Sequence, residues 1–332
     1  MVELLRTENG ISFLRTPSEN FETIPDFPWS PHYLNLDGLS MHYIDEGASD
    51  APVALLLHGM PTWSYLYRSA IPELLAAGYR CVAPDHVGFG KSDKPTDPGY
   101  YDIARHTANL DRLIQTLDLR NITLFVQDWG GPTGLAQYAA MPQRFERLVM
   151  MNTWLHHDAY EYSDGIRNWI AQNSPGGLFR DNVPSKFLWG ALMAVGTGRA
   201  TPKDTLFRSL NGQEPDYSPA ADLVRKAYDA PFAGLGDDGV AGTRRFPMCI
   251  PLIDPVAGDA ERQQETFATV NATDLPVHFV WGTQDAVFTE AWGRQWHSLI
   301  PHATWDALPD AAHFPQDTHG ADIARLVARY AS

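Results

Sequence analysis

Six short apolar runs punctuate this chain: VALLL at 53–57, RCVAP at 80–84, NITLFV at 121–126, RLVMMN at 147–152, VHFVWG at 277–282 and ATWDAL at 303–308. Amphipathic stretches separate them, one around 69–77, one from Pro132 toward Met141, and the C-terminal ADIARLVARY. This alternation is the pattern of βαβ units, and it predicts an α/β fold with a mostly parallel central sheet flanked by helices. Between about 155 and 230 the pattern breaks: polar segments punctuated by Gly and Pro enclose bulky clusters such as FLWGALMAV at 187–195, with no strand signature. The expectation is a helical cap over 155–230, inserted after the strand ending near Asn152, with the core formed by 1–154 and 231–332. The stretch 231–274 has no readable element pattern.

Length and charge narrow the function classes. At 332 residues the chain exceeds ordinary single-domain size, which fits one large core carrying an insertion. A formal net charge of −15 disfavours nucleic acid and anionic membrane surfaces and suits a small neutral ligand. Cys81 and Cys249 lie far apart, so no disulfide framework is indicated and a reducing cytoplasm is compatible. No signal peptide or membrane-spanning stretch is expected. The adjacent His156 and His157 lack the surrounding ligands of a metal site. A cytoplasmic monomer without metal or cofactor is the expectation.

Three predicted strand ends carry unusual residues, and ligands of open α/β sheets bind beyond such ends. The first is LHGMPTW at 57–63, where Gly59 permits a sharp reversal that exposes the Met60 backbone N–H. The second is VQDWGG at 126–131. A strand running into Asp128 and two glycines opening a helix have the form of a nucleophile elbow, with aspartate where serine usually stands. Asp128 as a simple helix cap is the competing reading of that segment. The third is DAAHF at 310–314, which offers His313 as a base; Asp285, in GTQD just past the 277–282 run, is its candidate acid partner. Nucleophile, acid and base thus fall in the chain order expected of such an elbow.

A carboxylate nucleophile needs no deprotonation at neutral pH and suits displacement at a saturated carbon, which leaves an alkyl ester. His313 is then needed to activate the water that cleaves the ester, and the backbone N–H groups of Met60 and Trp129 to receive the oxyanion. A leaving halide wants N–H donors in a dry site, and the Trp129 indole next to the nucleophile is one candidate.

At these residues the sequence resembles the haloalkane dehalogenases of the α/β-hydrolase fold. The resemblance is carried by HGMPTWSYLYR at 58–68, DHVGFGKSDKP at 85–95, NITLFVQDWGG at 121–131, GTQDAVF at 282–288 and AAHFPQD at 311–317. It implies Asp128 as nucleophile, His313 as base, Asp285 as its acid, and Trp129 as a halide ligand. It further implies a halogenated hydrocarbon substrate and a halide product. One subgroup supplies its second halide donor from a cap tryptophan, for which Trp189 is the candidate and Trp169 the alternative. Met60 departs from the family, which carries Glu or Asn there; the backbone N–H survives, and bulky apolar substrates are expected to be favoured over small ones. Phe232, Phe288 and Phe314 are candidate pocket walls.

Three rival readings compete. An epoxide hydrolase uses the same Asp-His-Asp logic but needs two cap tyrosines, for which the chain offers Tyr160 and Tyr162. A fluoroacetate dehalogenase clamps a carboxylate with arginines near the nucleophile; none follows Asp128, and Arg68 belongs to the shared SYLYR stretch. A non-catalytic ligand receptor on this fold is expected to have lost one of the three catalytic positions, and all three are present.

Overall fold

The computed structural model describes residues 2–177, 188–199, 208 and 217–331. All six apolar runs lie in one eight-stranded sheet, whose strands in chain order are β1 His32–Leu36, β2 Leu39–Glu46, β3 Val53–Leu57, β4 Arg80–Pro84, β5 Ile122–Asp128, β6 Phe145–Thr153, β7 Val277–Gly282 and β8 Thr304–Leu308. Their spatial order is β8-β7-β6-β5-β3-β4-β2-β1. The pairs from β8 through β4 are parallel, and β2 and β1 add an antiparallel edge. β4 and β5 lie on opposite sides of β3, so the winding reverses there. Above the carboxyl ends of β3 and β5 is the crevice where such sheets bind ligands.

The central strands read as unbroken apolar runs because both faces are covered. In β3, Leu55 and Leu57 pack into one buried layer with Leu124 and Val126 of β5, while Ala54 and Leu56 point into the other with Phe125. Helices Ile71–Ala76, Ile103–Thr116, Gly130–Ala140, Ala260–Asn271, Glu290–Ser298 and Pro315–Ala331 flank the sheet. Among the described residues of 155–230 there are three further helices, Asp164–Asn173, Leu188–Gly196 and Pro219–Asp229, and no strand. Both cysteines are buried thiols.

Several elements were not read from the sequence. In the β1–β2 hairpin β1 is mostly exposed and β2 mixes buried with half-buried positions, so neither is a continuous apolar run, and the three-stranded sheet of Leu5–Arg6, Ser12–Leu14 and Lys94–Pro95 is too short to leave a pattern. Segment 231–274 holds short helical turns and the helices Ala241–Arg245 and Ala260–Asn271.

The turn from β5 into its helix is tightly packed. Thr153 at the end of β6 pairs with Asp128 and donates its hydroxyl to the Asp128 carbonyl at 2.8 Å. A Cβ on Gly131 would collide with that same hydroxyl oxygen and lie 2.8 Å from the Trp154 carbonyl. Gly131→Ala is therefore expected to destabilise the fold by about 1–3 kcal/mol, the usual cost of overpacking. Urea denaturation of the two proteins checks this.

Candidate active site

β5 ends on Asp128, whose backbone φ is +49°, a conformation an L-residue adopts only when its surroundings impose it. The turn lifts the carboxylate above the sheet beside the reversal that follows β3. Gly59 makes room there, because any Cβ at that position would meet the Asp128 carboxylate. The Met60 backbone N–H donates to Asp128 Oδ2 at 2.9 Å, and the Trp129 N–H is a second backbone donor to the carboxylate. Burial pushes the Asp128 carboxyl up to about 6, against the opposing pull of His313 and these two N–H groups.

His313 lies in the loop between β8 and the last helix. Its Nδ1 is 2.8 Å from Asp285 Oδ2, and its Nε2 is 3.9 Å from Asp128 Oδ1. Asp285, just past β7, is buried and accepts hydrogen bonds from the Val287 N–H at 2.7 Å and from Asn152 Nδ2 at 2.9 Å. Burial opposes its ionisation, but the charge and hydrogen bond of His313 and these two donors outweigh it and hold the carboxyl below its ordinary value. Burial likewise disfavours the imidazolium of His313, while Asp285 and Asp128 together hold its pKa above the usual histidine value. Two carboxylates within one site are thus driven in opposite directions.

A cavity of about 260 Å³ opens over Asp128 and His313. Met60, Trp129, Trp154, Phe288 and Phe314 contribute to its walls from the core, and Ile166, Trp169, Leu192 and Val195 from the helices after β6. Trp129 stands edge-on to Trp154, with ring centroids 5.1 Å apart.

Two expected site residues lie elsewhere. Trp189 is buried but does not line the cavity, and its indole N–H has no hydrogen-bond partner among the described residues. It precedes the lining residues Leu192 and Gly196 by one and two helical turns, which sets it farther along the same face. The alternative, Trp169, does line the cavity. Phe232 is also outside the lining, because residues 230–233 are tied to the N-terminal segment. There Thr16 Oγ1 donates to the Pro231 carbonyl at 2.7 Å, and Asn20 Nδ2 to the carbonyls of Ala230 and Ala233 at 3.0 and 2.9 Å.

The side chains of the rival readings are engaged away from the cavity. Tyr162 pairs its hydroxyl with His156 Nδ1 at 2.8 Å, and Tyr160 packs on His157 with centroids 4.1 Å apart. Arg68 donates to Asp317 at 2.7 Å. In the DHVGFGKSDKP segment, Asp85 is a structural hub that pairs with His42 at 2.8 Å and accepts the N–H groups of Ser64 and Lys91. Among the described residues no cluster of His, Cys, Asp or Glu is placed to hold a metal, and no helix is long and apolar enough to cross a membrane.

Asn152, at the end of β6, is a site residue the sequence reading missed. It donates to Asp285 and the Gly282 carbonyl, and its Oδ1 accepts the Gly282 N–H at 2.8 Å. Its one signal was position: it is the last residue of a predicted strand, directly after the apolar pair Met150 and Met151.

The family model of the α/β hydrolase fold matches residues 52–320, so the fold and the site crevice define the chain as an α/β-hydrolase. A haloalkane dehalogenase of Psychrobacter cryohalolentis is 34% identical over 330 residues, covering 96% of this chain and 98% of that one. The tetrameric structure of the haloalkane dehalogenase DpaA from Paraglaciecola agarilytica matches with a TM-score of 0.80 at 33% identity, covering 95% of this chain and 97% of that chain. A cis-3-alkyl-4-alkyloxetan-2-one decarboxylase of Shewanella oneidensis is 31% identical over 294 residues, covering 86% of this chain and 83% of that protein. The chain belongs to the haloalkane dehalogenase family, hydrolases that act on carbon–halogen bonds.

The Asn152 hydrogen bond to a charged, buried Asp285 has a kinetic consequence. Asn152→Ala is expected to lower kcat by about 10–100-fold, the worth of one hydrogen bond to a charged group. Steady-state halide release by the folded variant measures it.

Proposed function

We propose that this protein hydrolyses haloalkanes to the alcohol and halide, with Asp128 as nucleophile, His313 as base and Asp285 as the acid that orients it. The observation that carries this reading is the division of labour between the two Asp128 oxygens. Oδ2 accepts the Met60 backbone N–H, while Oδ1 faces His313 at a distance too long for a hydrogen bond, at the floor of an apolar cavity.

In the first step Oδ1 attacks the halogen-bearing carbon. The C–O bond forms as the carbon–halogen bond breaks, and the halide leaves with its electron pair. The indole N–H groups of Trp129 and Trp169 are its donors, with Trp169 taking the role first sought in Trp189. In the second step water gives a proton to His313 Nε2 and attacks Cγ of the Asp128 ester. Negative charge gathers on Oδ2, where the Met60 N–H already points, and the Trp129 N–H is the second backbone donor of the carboxyl group. Collapse breaks the Cγ–Oδ1 bond and releases the alkoxide, which takes the proton from His313 and leaves as alcohol, while the regenerated Asp128 carboxyl gives up the second proton of the water to solvent. Asp285 keeps the Nδ1–H tautomer and steadies the transient imidazolium.

The three helices of 155–230 act as a cap that closes the cavity and excludes water from the displacement. Halide suits this site better than epoxide, since epoxide opening calls for two hydroxyl donors at the reacting carbon and neither candidate tyrosine lines the cavity. Arg68, paired with Asp317, is not free to clamp a substrate carboxylate.

The decisive experiment is bromide release from 1-bromobutane and 1,2-dibromoethane with no metal or cofactor added, beside styrene oxide and a cis-3-alkyl-4-alkyloxetan-2-one. Bromide release abolished by Asp128→Ala, together with a mass increase on Asp128 in His313→Ala, is the expected result. Diol from the epoxide or loss of carbon dioxide from the lactone, without bromide, reassigns the chemistry of the same triad.

The pH dependence has a definite sign. Asp128 must be ionised to attack, and its pKa of about 6 makes alkylation fall as pH drops through that value. His313 must be neutral to accept a proton, and its raised pKa makes ester hydrolysis fall on the acid side too. Both rates are expected to climb with pH to a plateau. Single-turnover kinetics between pH 5 and 9, spanning these two acid limbs, check it; a decline on the alkaline side contradicts it.

A further inference from the structure

The base has a second neighbour besides Asp285. Gln127, the residue before the nucleophile on β5, is fully buried. Its carboxamide nitrogen lies 2.9 Å from the His313 carbonyl oxygen and 3.3 Å from His313 Nε2. Its oxygen has no hydrogen-bond partner, so among the described residues His313 alone holds the carboxamide by hydrogen bonds. The roles of donor and acceptor follow from Asp285. Because Nδ1 donates to that carboxylate, the Nε2 of neutral His313 carries a lone pair, and the amide N–H must be the donor to it. Turning the carboxamide over would set its oxygen against the His313 carbonyl, acceptor against acceptor.

We propose that Gln127 is a positioning residue that holds His313 in its neutral form, turned away from Asp128, until the alkyl ester has formed. This rests on the dehalogenase reading above. An imidazolium in this place would donate from Nε2 to Asp128 Oδ1, 3.9 Å away, and tie up the oxygen that must attack carbon. A neutral ring whose lone pair is occupied by an amide N–H has nothing to donate there. Alkylation removes the charge from Asp128 and with it the attraction, and the lone pair is then exchanged from Gln127 to the hydrolytic water. The same amide N–H opposes an Nε2–H on the imidazolium, which favours returning the proton to the departing alkoxide.

The other groups around the ring do not supply this function. Asp285 and Asp128, the titratable groups facing it from the ends of β7 and β5, both favour the charged form. Asp317, in the helix that follows, is paired with Arg68 and Arg199. Phe288 and Phe314 offer only ring faces and edges. Beside the general effect of burial, Gln127 is thus the one neighbour among the described residues that favours the neutral base by a hydrogen bond.

The test is a titration of His313 in the full chain labelled with ¹⁵N-histidine, in the wild type and in Gln127→Met, which keeps the volume and removes the donor. The expected result is a His313 midpoint raised by about one pH unit, the equivalent of one hydrogen bond to the neutral form. Single-turnover alkylation by the variant should slow below the new midpoint and recover to the wild-type rate above it. A packing defect would slow it at every pH. A midpoint that is unmoved or lowered overturns the proposal. If Gln127→Met does not fold, Gln127→Glu keeps the shape and replaces the donor by a carboxylate; its midpoint should rise further, and an unmoved one overturns the proposal equally. The titration reads His313 directly, so a wild-type enzyme releasing no halide would sink the dehalogenase reading while leaving this measurement able to decide the other.

Discussion

The structure turns on one constraint: the Asp128 carboxyl group is buried at the floor of an apolar cavity. Burial alone drives Asp128 toward its neutral form. The counterweights are backbone N–H groups, which cannot be displaced, and an imidazole held just out of contact. Much of the local sequence serves that balance. Gly59 clears space for the carboxylate, the elbow aims it, and the Thr153 hydroxyl secures the carbonyl beneath it. Strain at φ +49° is sustained because the β5–β6 pairing and the glycine packing leave the chain no other path.

The second carboxylate sits equally deep and ends up opposite. Asp285 has a directly bonded imidazole, a backbone N–H and the Asn152 amide, where Asp128 has two N–H groups and a distant ring. Hydrogen bonds to the charged form outweigh burial in one case and not in the other. In the proposed reaction that difference assigns the roles: the well-solvated anion orients the base, and the poorly solvated one attacks. Poor solvation is an asset for a nucleophile, because less stabilisation is lost when its charge moves onto the leaving group.

Much of this was legible in the sequence, for identifiable reasons. Central parallel strands are apolar on both faces, so 80–84 and 277–282 were read to the residue. Asp128, Asp285 and His313, which the structure brings together, could be singled out because topology puts them at strand ends, and strand ends could be counted. What stayed hidden depends on rotation or on distant anchoring. Trp189 and Trp169 are both cap tryptophans in sequence, and only the placement of their helices decides which one reaches the cavity. Phe232 was misassigned because its neighbours are held by Thr16 and Asn20, more than 200 residues away in the chain. Gln127 and Asn152 act through other side chains, and such a role leaves no trace in composition or period.

The proposed triad does not by itself select a reaction, since an aspartate, a histidine and a second aspartate serve halides and epoxides alike. Selection falls to whatever receives the leaving group. An epoxide or lactone oxygen remains attached to its carbon skeleton and gains from an acidic hydroxyl near it. A halide departs as a free ion, and what it needs is N–H donors and the absence of water. In this chain the cavity wall carries three indoles, Trp129, Trp154 and Trp169, while Tyr160 and Tyr162 are folded into the aromatic cluster around His157. The net charge of −15 matters only outside: a neutral haloalkane enters without electrostatic cost, and the anion produced is repelled once it leaves its indole donors. Chemistry shared with the rival enzymes is thus narrowed by the walls of the cavity rather than by its floor.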